Sequence, residues 1–180
     1  LRVLSMASDP KRSDMAYISV GATLEDGGGG GVSVQGLPLI KPPYGRISAI
    51  DLNKGELAWQ IAHGETPDAI KNNPALKGVA IPRTGRPAGA GGSSGGIGVL
   101  VTKSLVISGE GGTVMMPDGT RGAMLRAYDK KTGQQVGEVW MPAQQSGSPM
   151  TYSVGGKQYI VVAVSGGAYS GEYLAFTLPE

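Results

Sequence analysis

Residues able to do chemistry by themselves are sparse in this chain. GGSSGG, at positions 91–96, fits the pattern G-x-S-x-G twice, with Ser93 or Ser94 in the nucleophile position. An exposed nucleophile of that kind needs a strand before the serine and a helix after it. Here PAGA precedes and the strand-like GVLVT follows, so a hydrolase elbow is set aside. His63 is the single histidine, which excludes a histidine metal cluster, and its place at the start of a long polar stretch predicts a solvated side chain. Glu110 and Asp118 lie near glycines and offer oxygens to Ca²⁺, but the alternating acidic ligands of a calcium loop are missing. GEGGTV lacks the last glycine of a dinucleotide fingerprint, and GGKQ lacks the rest of a phosphate loop. With no cysteine there is no disulfide or thiolate metal site, and the compartment is left open.

Without a local catalytic cluster, function has to come from where the elements place backbone and side chains. The chain has 180 residues, 31 of them glycine and 12 proline, which punctuate it too often for long helices. No run approaches the roughly 18 to 20 apolar residues that span a bilayer. A net charge of +2 from scattered lysines and arginines, with one Phe beside seven Tyr, gives no case for a nucleic-acid partner. The chain opens on Leu1 with no signal-like segment before the first strand-like run, so a piece of a longer protein is expected.

Ten short β-type runs recur between turn signals, at 16–22, 45–52, 56–62, 98–102, 104–110, 123–129, 135–142, 150–154, 158–164 and 172–178. With no amphipathic helix beside them, they predict an all-β fold. DLNKGE and DKKTGQ predict tight turns in which the aspartate caps backbone N–H groups and the glycine takes a positive φ. SVGGKQY predicts a hairpin with Gly155 and Gly156 at its tip. Loops at 25–44 and 63–96 separate the hairpins, the second containing at most a turn of helix within 67–76.

The two aspartate turns belong to a repeat. AIDLNKGELAW and AYDKKTGQQVG pair Ala49 with Ala127, Asp51 with Asp129, Gly55 with Gly133 and Trp59 with Gly137; LAFTL is a fainter third copy. Asp129 and Thr177 are 48 residues apart, and Asp51 and Asp129 are 78 apart, the excess being the long loop. Four strands per period of about 40 to 50 residues is the pattern of propeller blades. Blades pack face to face, so Trp59 is expected to cover the next blade while the small Ala49 leaves it room. Trp140 is expected to stand in part for the tryptophan lost at Gly137.

KPPYGRISAIDLNKGELAWQIAHG, GVLVTKSLVISGE, LRAYDKKTG, MPAQQSGSPMTYSVGGKQYIVVAVSGG and the closing GEYLAFTLPE resemble the C-terminal blades of the pyrroloquinoline quinone (PQQ) dependent dehydrogenases, in particular the membrane-bound glucose dehydrogenase branch. The resemblance covers residues 36–180. It implies two to three four-stranded antiparallel blades of an eight-bladed propeller, with residues 1–180 forming one partial propeller domain. It also implies PQQ and Ca²⁺ near the propeller axis, with the base aspartate and the Ca²⁺ ligands on earlier blades. No catalytic or metal residue is therefore assigned here. What the family places against the cofactor corresponds to Ser94, Gly95 and Gly96 and to Gly166, Gly167 and Ala168, where bare backbone can approach a flat ring. Ser94 departs from the aromatic residue usual in the alcohol-oxidising branches, and the same glycines could serve only strand bends.

The resemblance further implies oxidation of a sugar or alcohol hydroxyl, with electrons passed to a quinone or cytochrome. The protein would be periplasmic, any membrane association lying in upstream regions, and its partners would include the remaining blades of the same chain. The competing expectation is a non-catalytic propeller used as an assembly scaffold.

Overall fold

The computed structural model describes residues 2–9, 12–21, 25–26, 29–30, 33–86, 98–116, 118–166 and 168–177. The first sheet is built from β1 (Arg2–Asp9) and β2 (Arg12–Gly21). Two small ladders follow, β3 (Glu25–Asp26) with β4 (Gly29–Gly30) and β5 (Ser33–Val34) with β6 (Leu37–Pro38), inside the first long loop. β7 (Gly45–Asp51) and β8 (Glu56–Ala62) then complete the antiparallel order β1-β2-β7-β8. The second loop carries one turn of helix, α1 (Asp68–Lys71), and a 3₁₀ turn over Pro74–Leu76.

β9 (Leu100–Val101), β10 (Leu105–Gly109), β12 (Arg121–Asp129) and β13 (Gln135–Met141) form the second sheet in that spatial order, with β11 (Val114–Met115) also on β12. The third sheet is β14 (Met150–Val154), β15 (Lys157–Gly166) and β16 (Tyr169–Thr177). All ten strands read from the sequence are present. β1 and the short pieces β3 to β6 and β11 were not foreseen, since RVLSMASD lacks a clean alternation and two residues carry no period.

The repeat has a local cause. Asp51 Oδ1 accepts the N–H groups of Asn53 (3.0 Å) and Lys54 (3.2 Å), and Gly55 closes the turn at φ 69°. Asp129 Oδ1 does the same for Lys131 (3.0 Å) and Thr132 (2.9 Å), with Gly133 at φ 75°. These N–H bonds and the Thr132 hydroxyl hold the Asp129 carboxyl below its ordinary range. Both turns join the third strand of a sheet to the fourth, so the repeat unit is a four-stranded blade.

Neighbouring sheets pack through two apolar layers. Met15, Tyr17, Ile47 and Ala49 of the first sheet meet Val99, Val106 and Tyr128 of the second. Ile107, Ala123, Leu125, Met141 and Ala143 meet Val162 and Val164 of the third. Each fully buried aliphatic side chain here contributes about 1.5 to 3 kcal/mol by leaving water. Among the described residues, β1 and β9, the first strands of adjacent sheets, approach each other more extensively than any later strands of different sheets. The blades therefore converge on their first strands, and the propeller axis lies on that side.

Trp59 is the cement between the first two blades. It stands opposite Ala49, its Nε1 donates to the Lys130 carbonyl (3.1 Å), and its ring lies on Gly133, where a Cβ would come within 2.8 Å of Cε3. The expectation for Trp140 is corrected. In the register Ala127↔Gly137 and Met124↔Trp140 the two positions are an odd number apart, so Trp140 projects from the opposite face to Gly137, lies over Gly122 and is 43% exposed. Nothing lies within 4 Å of a Cβ placed at Gly137.

The long connection after β8 is pinned at its root. Tyr44 N–H donates to the Thr84 carbonyl (2.7 Å), His63 N–H to Gly45 (2.9 Å), and Arg86 N–H to His63 (2.9 Å). Trp59→Ala is expected to destabilise the protein by about 2 to 4 kcal/mol. A shift in urea midpoint corresponding to less than about 1 kcal/mol would remove Trp59 from the inter-blade role.

Candidate functional site

Of the residues singled out in the sequence, Ser94, Gly95, Gly96 and Gly167 lie outside the described residues. Gly166 and Ala168 form the turn between β15 and β16. Gly166 pairs with Tyr169 across an irregularity in the ladder and holds φ at 135°, a conformation open essentially only to glycine. A Cβ there would also meet the side chain of Gln144, at 2.8 Å from Nε2 and 3.0 Å from Cδ. Gly166 is thus required locally, and strand bending is part of its role. Ala168 is exposed, and no side chain from Ser165 through Ala168 is larger than serine, so a flat molecule could lie against this turn.

The segment that touches this turn was not foreseen. Gln144 and Gln145 are 4% and 3% exposed, in the stretch linking β13 to β14. Gln145 Oε1 accepts from Gly109 N–H (2.6 Å), and its Nε2 donates to the carbonyls of Gly98 (2.9 Å) and Gly147 (2.6 Å). Ser165 N–H donates to the Gln144 carbonyl (3.0 Å), and Gln145 N–H to that of Glu110 (3.0 Å). A Gln-Gln pair between strands reads as polar loop, and the sequence holds no signal that it is buried.

A second polar cluster lies between the first two blades. Arg126 is 1% exposed; its Nε donates to Glu110 Oε1 (2.9 Å), its Nη2 to Glu65 Oε1 (2.6 Å), and its Nη1 to Glu138. Burial alone would lower the Arg126 pKa, but Glu110 and Glu65 overcome this and hold it up. Burial pushes the Glu110 carboxyl up, against the pull of Arg126. Its Oε1 is thus engaged by arginine, which sets aside the Ca²⁺ reading of Glu110; Oε2 has no hydrogen-bond partner among the described residues. Asp118 is held in its own turn by the N–H (2.9 Å) and hydroxyl (2.7 Å) of Thr120. Beside Arg126, a cleft of about 350 Å³ is lined by Glu65, Asp68, Lys71, Met115, Met124 and Glu138, among others.

His63 corrects the expectation of a solvated side chain. It is 2% exposed, Nε2 donates to the Gly109 carbonyl (3.0 Å), and Nδ1 accepts from the Tyr128 hydroxyl (2.8 Å). The carbonyl can only accept, which places the proton on Nε2. Burial lowers its pKa from 6.5 to about 4, the Gly109 bond opposing and Arg126 and Arg83 adding to the fall. The backbone strap at residues 45, 63 and 86 carries the ring inward, a long-range pairing that a polar local sequence does not reveal.

Stacked antiparallel sheets, the first two turning from third to fourth strand through a capped aspartate and glycine, define a segment of a β-propeller. Residues 6–160 match the family described as "PQQ: Glucose/ethanol/alcohol dehydrogenase, beta-propeller domain", and the chain belongs to that family. It is 31% identical over 154 residues to quinoprotein glucose dehydrogenase A of Acinetobacter calcoaceticus, a match covering 83% of this chain and 17% of the relative. It is 33% identical over 155 residues to a probable quinate dehydrogenase (quinone) of Xanthomonas campestris pv. juglandis, covering 83% and 18%. The quinohemoprotein alcohol dehydrogenase of Comamonas testosteroni shares the fold, with a TM-score of 0.50 and 21% identity over 89% of this chain and 21% of that one. The chain thus spans about a sixth of the length of the curated relatives. Among the described residues no group of three or more acidic or histidine side chains could hold a metal ion, and no helix is long and apolar enough to cross a membrane.

Two outcomes follow from this geometry. Gly166→Ala is expected to lower stability by about 1 to 3 kcal/mol, because the new Cβ meets Gln144 and the backbone is strained; an unchanged melting temperature would contradict it. For His63 the unfolded chain binds a proton below about 6.5 and the folded one only below about 4, so stability is full above 6.5 and falls as the pH drops between them. The loss is on the order of 3 kcal/mol. His63→Gln is expected to remove that slope in paired unfolding curves from pH 7 to pH 4, the contribution of Glu110 cancelling in the difference.

Proposed function

We propose that these blades belong to a quinoprotein dehydrogenase that oxidises a hydroxyl of a sugar or alcohol, and that they supply part of the wall of its PQQ site through Gly166 and Ala168. The observation that carries the dehydrogenase reading is the family match over residues 6–160, which spans the first two blades and the third as far as Ile160. Ser94, Gly95, Gly96 and Gly167 are assigned to the same wall on the resemblance alone.

What supports a planar cofactor beside Gly166 and Ala168 is the local packing. Gln144 fills the Cβ side of Gly166, and the exposed Ala168 presents only a methyl group to a flat ring. When bound, PQQ supplies a two-electron acceptor and Ca²⁺ a Lewis acid. This chain's own share is steric and dielectric: the packed blades behind the turn exclude water, and the turn sets how closely a ring can approach. The base, the metal ligands and the acceptor site belong to other parts of the protein, as does any attachment to a membrane. The reading includes a periplasmic location, with a quinone or cytochrome as the next electron carrier. Residues 1–180 are read as one partial propeller domain.

In the full-length protein, stripped with chelator and titrated with PQQ in excess Ca²⁺, dye-linked oxidation of glucose, quinate, glycerol or ethanol is expected to rise and saturate near one PQQ per chain. No binding of PQQ under these conditions would overturn the enzyme reading in favour of a scaffold propeller.

A further inference from the structure

We propose that Gln144 and Gln145 are positioning residues that hold the Gly166 turn of the third blade, braced on the Gly109 end of β10 in the second, at a fixed height against the quinone; this rests on the cofactor-wall reading above. β10 ends at Gly109 and β15 at Gly166, the same place in successive blades. Two consecutive glutamines serve both ends. Gln145 takes the Gly109 N–H on Oε1 and gives both Nε2 protons to backbone carbonyls, Gly98 at the entry to β9 and Gly147 on the way to β14. Gln144 lays its side-chain amide against the α-carbon of Gly166, and its carbonyl takes the Ser165 N–H.

A wall made of bare backbone has a specific weakness. Glycine leaves the chain its widest conformational freedom and brings no side chain of its own to pack, so such a turn drifts unless something else holds it. A planar ligand needs its supports held to about half an ångström. An apolar filler behind the turns would satisfy packing but would leave Gly109 N–H and the carbonyls of Gly98 and Gly147 without these partners, and an unpaired buried polar group is costly. The buried amide of Gln145 instead fixes three glycine segments from two blades to one rigid group. Gln144 occupies the space that a Cβ on Gly166 would take, so the turn is packed on that side. The placement points to control of geometry as well as stability.

The test uses full-length protein with Gln145→Met, which keeps length and loses every side-chain hydrogen bond, and Gln144→Met as a milder second variant. Trp59→Phe serves as a control that destabilises the same propeller away from the glycine turns. Equilibrium dialysis with PQQ in Ca²⁺ and amide hydrogen exchange of the cofactor-free protein are both measured. Gln145→Met is expected to weaken PQQ binding tenfold or more, to shift the absorption of the bound quinone, and to accelerate exchange at Gly109 and Ser165. Trp59→Phe, at equal loss of melting temperature, is expected to do none of these. The proposal is overturned if both glutamine variants bind within twofold of wild type, or if Trp59→Phe weakens binding equally. Failure of wild type to bind PQQ would instead sink the cofactor-wall reading. Protection at Gly109 and Ser165 would then decide whether the glutamines hold the turns at all, and unchanged exchange would overturn that too.

Discussion

A sheet that is apolar on both faces cannot be stable alone, and the second blade is such a sheet. Along β12 the side chains alternate between two neighbours: Ala123 and Leu125 face the third blade, while Arg126 and Tyr128 face the first. Burial on both sides fixes the register absolutely, because a slip of one residue would exchange the two faces and drive Arg126 into an aliphatic layer. Trp59, the capped turns and the strap at residue 63 are all ways of keeping the first blade seated against that strand.

The first interface is the more polar of the two. A buried arginine held by three carboxylates gains little net stability over a well-packed apolar cluster, but loss of a partner leaves a charge stranded at a cost of about 3 to 5 kcal/mol. Such a cluster discriminates strongly against misplaced neighbours. The second interface is almost wholly aliphatic and tolerates small shifts, and there the polar fixation comes from Gln144 and Gln145 at one end only. The two interfaces hold their alignment by different chemistry.

Blade number, strand order and the turns at Asp51 and Asp129 were legible because each rests on short-range pattern: alternation, a capping carboxylate, a glycine at positive φ. The inter-blade role of Trp59 was legible because repeats imply stacking. His63, Gln144 and Gln145 were not, since their burial is decided by segments 46, 65 and 36 residues away that close over them. Trp140 was misjudged through a matter of parity, three positions in a strand being a change of face. Gly166 was singled out for its sequence context, while the neighbour that requires glycine there, Gln144, stayed hidden.

The strap that joins residues 44–45, 63 and 84–86 has an evolutionary consequence. Because both ends of the intervening excursion are hydrogen-bonded to the same short piece of backbone, and Glu65 and Asp68 near its start pair with Arg126 and Arg121, the geometry handed to the blades does not depend on the tip that lies beyond them. Doubling the length of such a closed excursion costs only about 0.6 kcal/mol of chain entropy. The span from 72 to 82, beyond Glu65, Asp68 and the buried Ile70, is therefore a port where lineages can splice in recognition elements of differing size, leaving the rotor underneath unaltered.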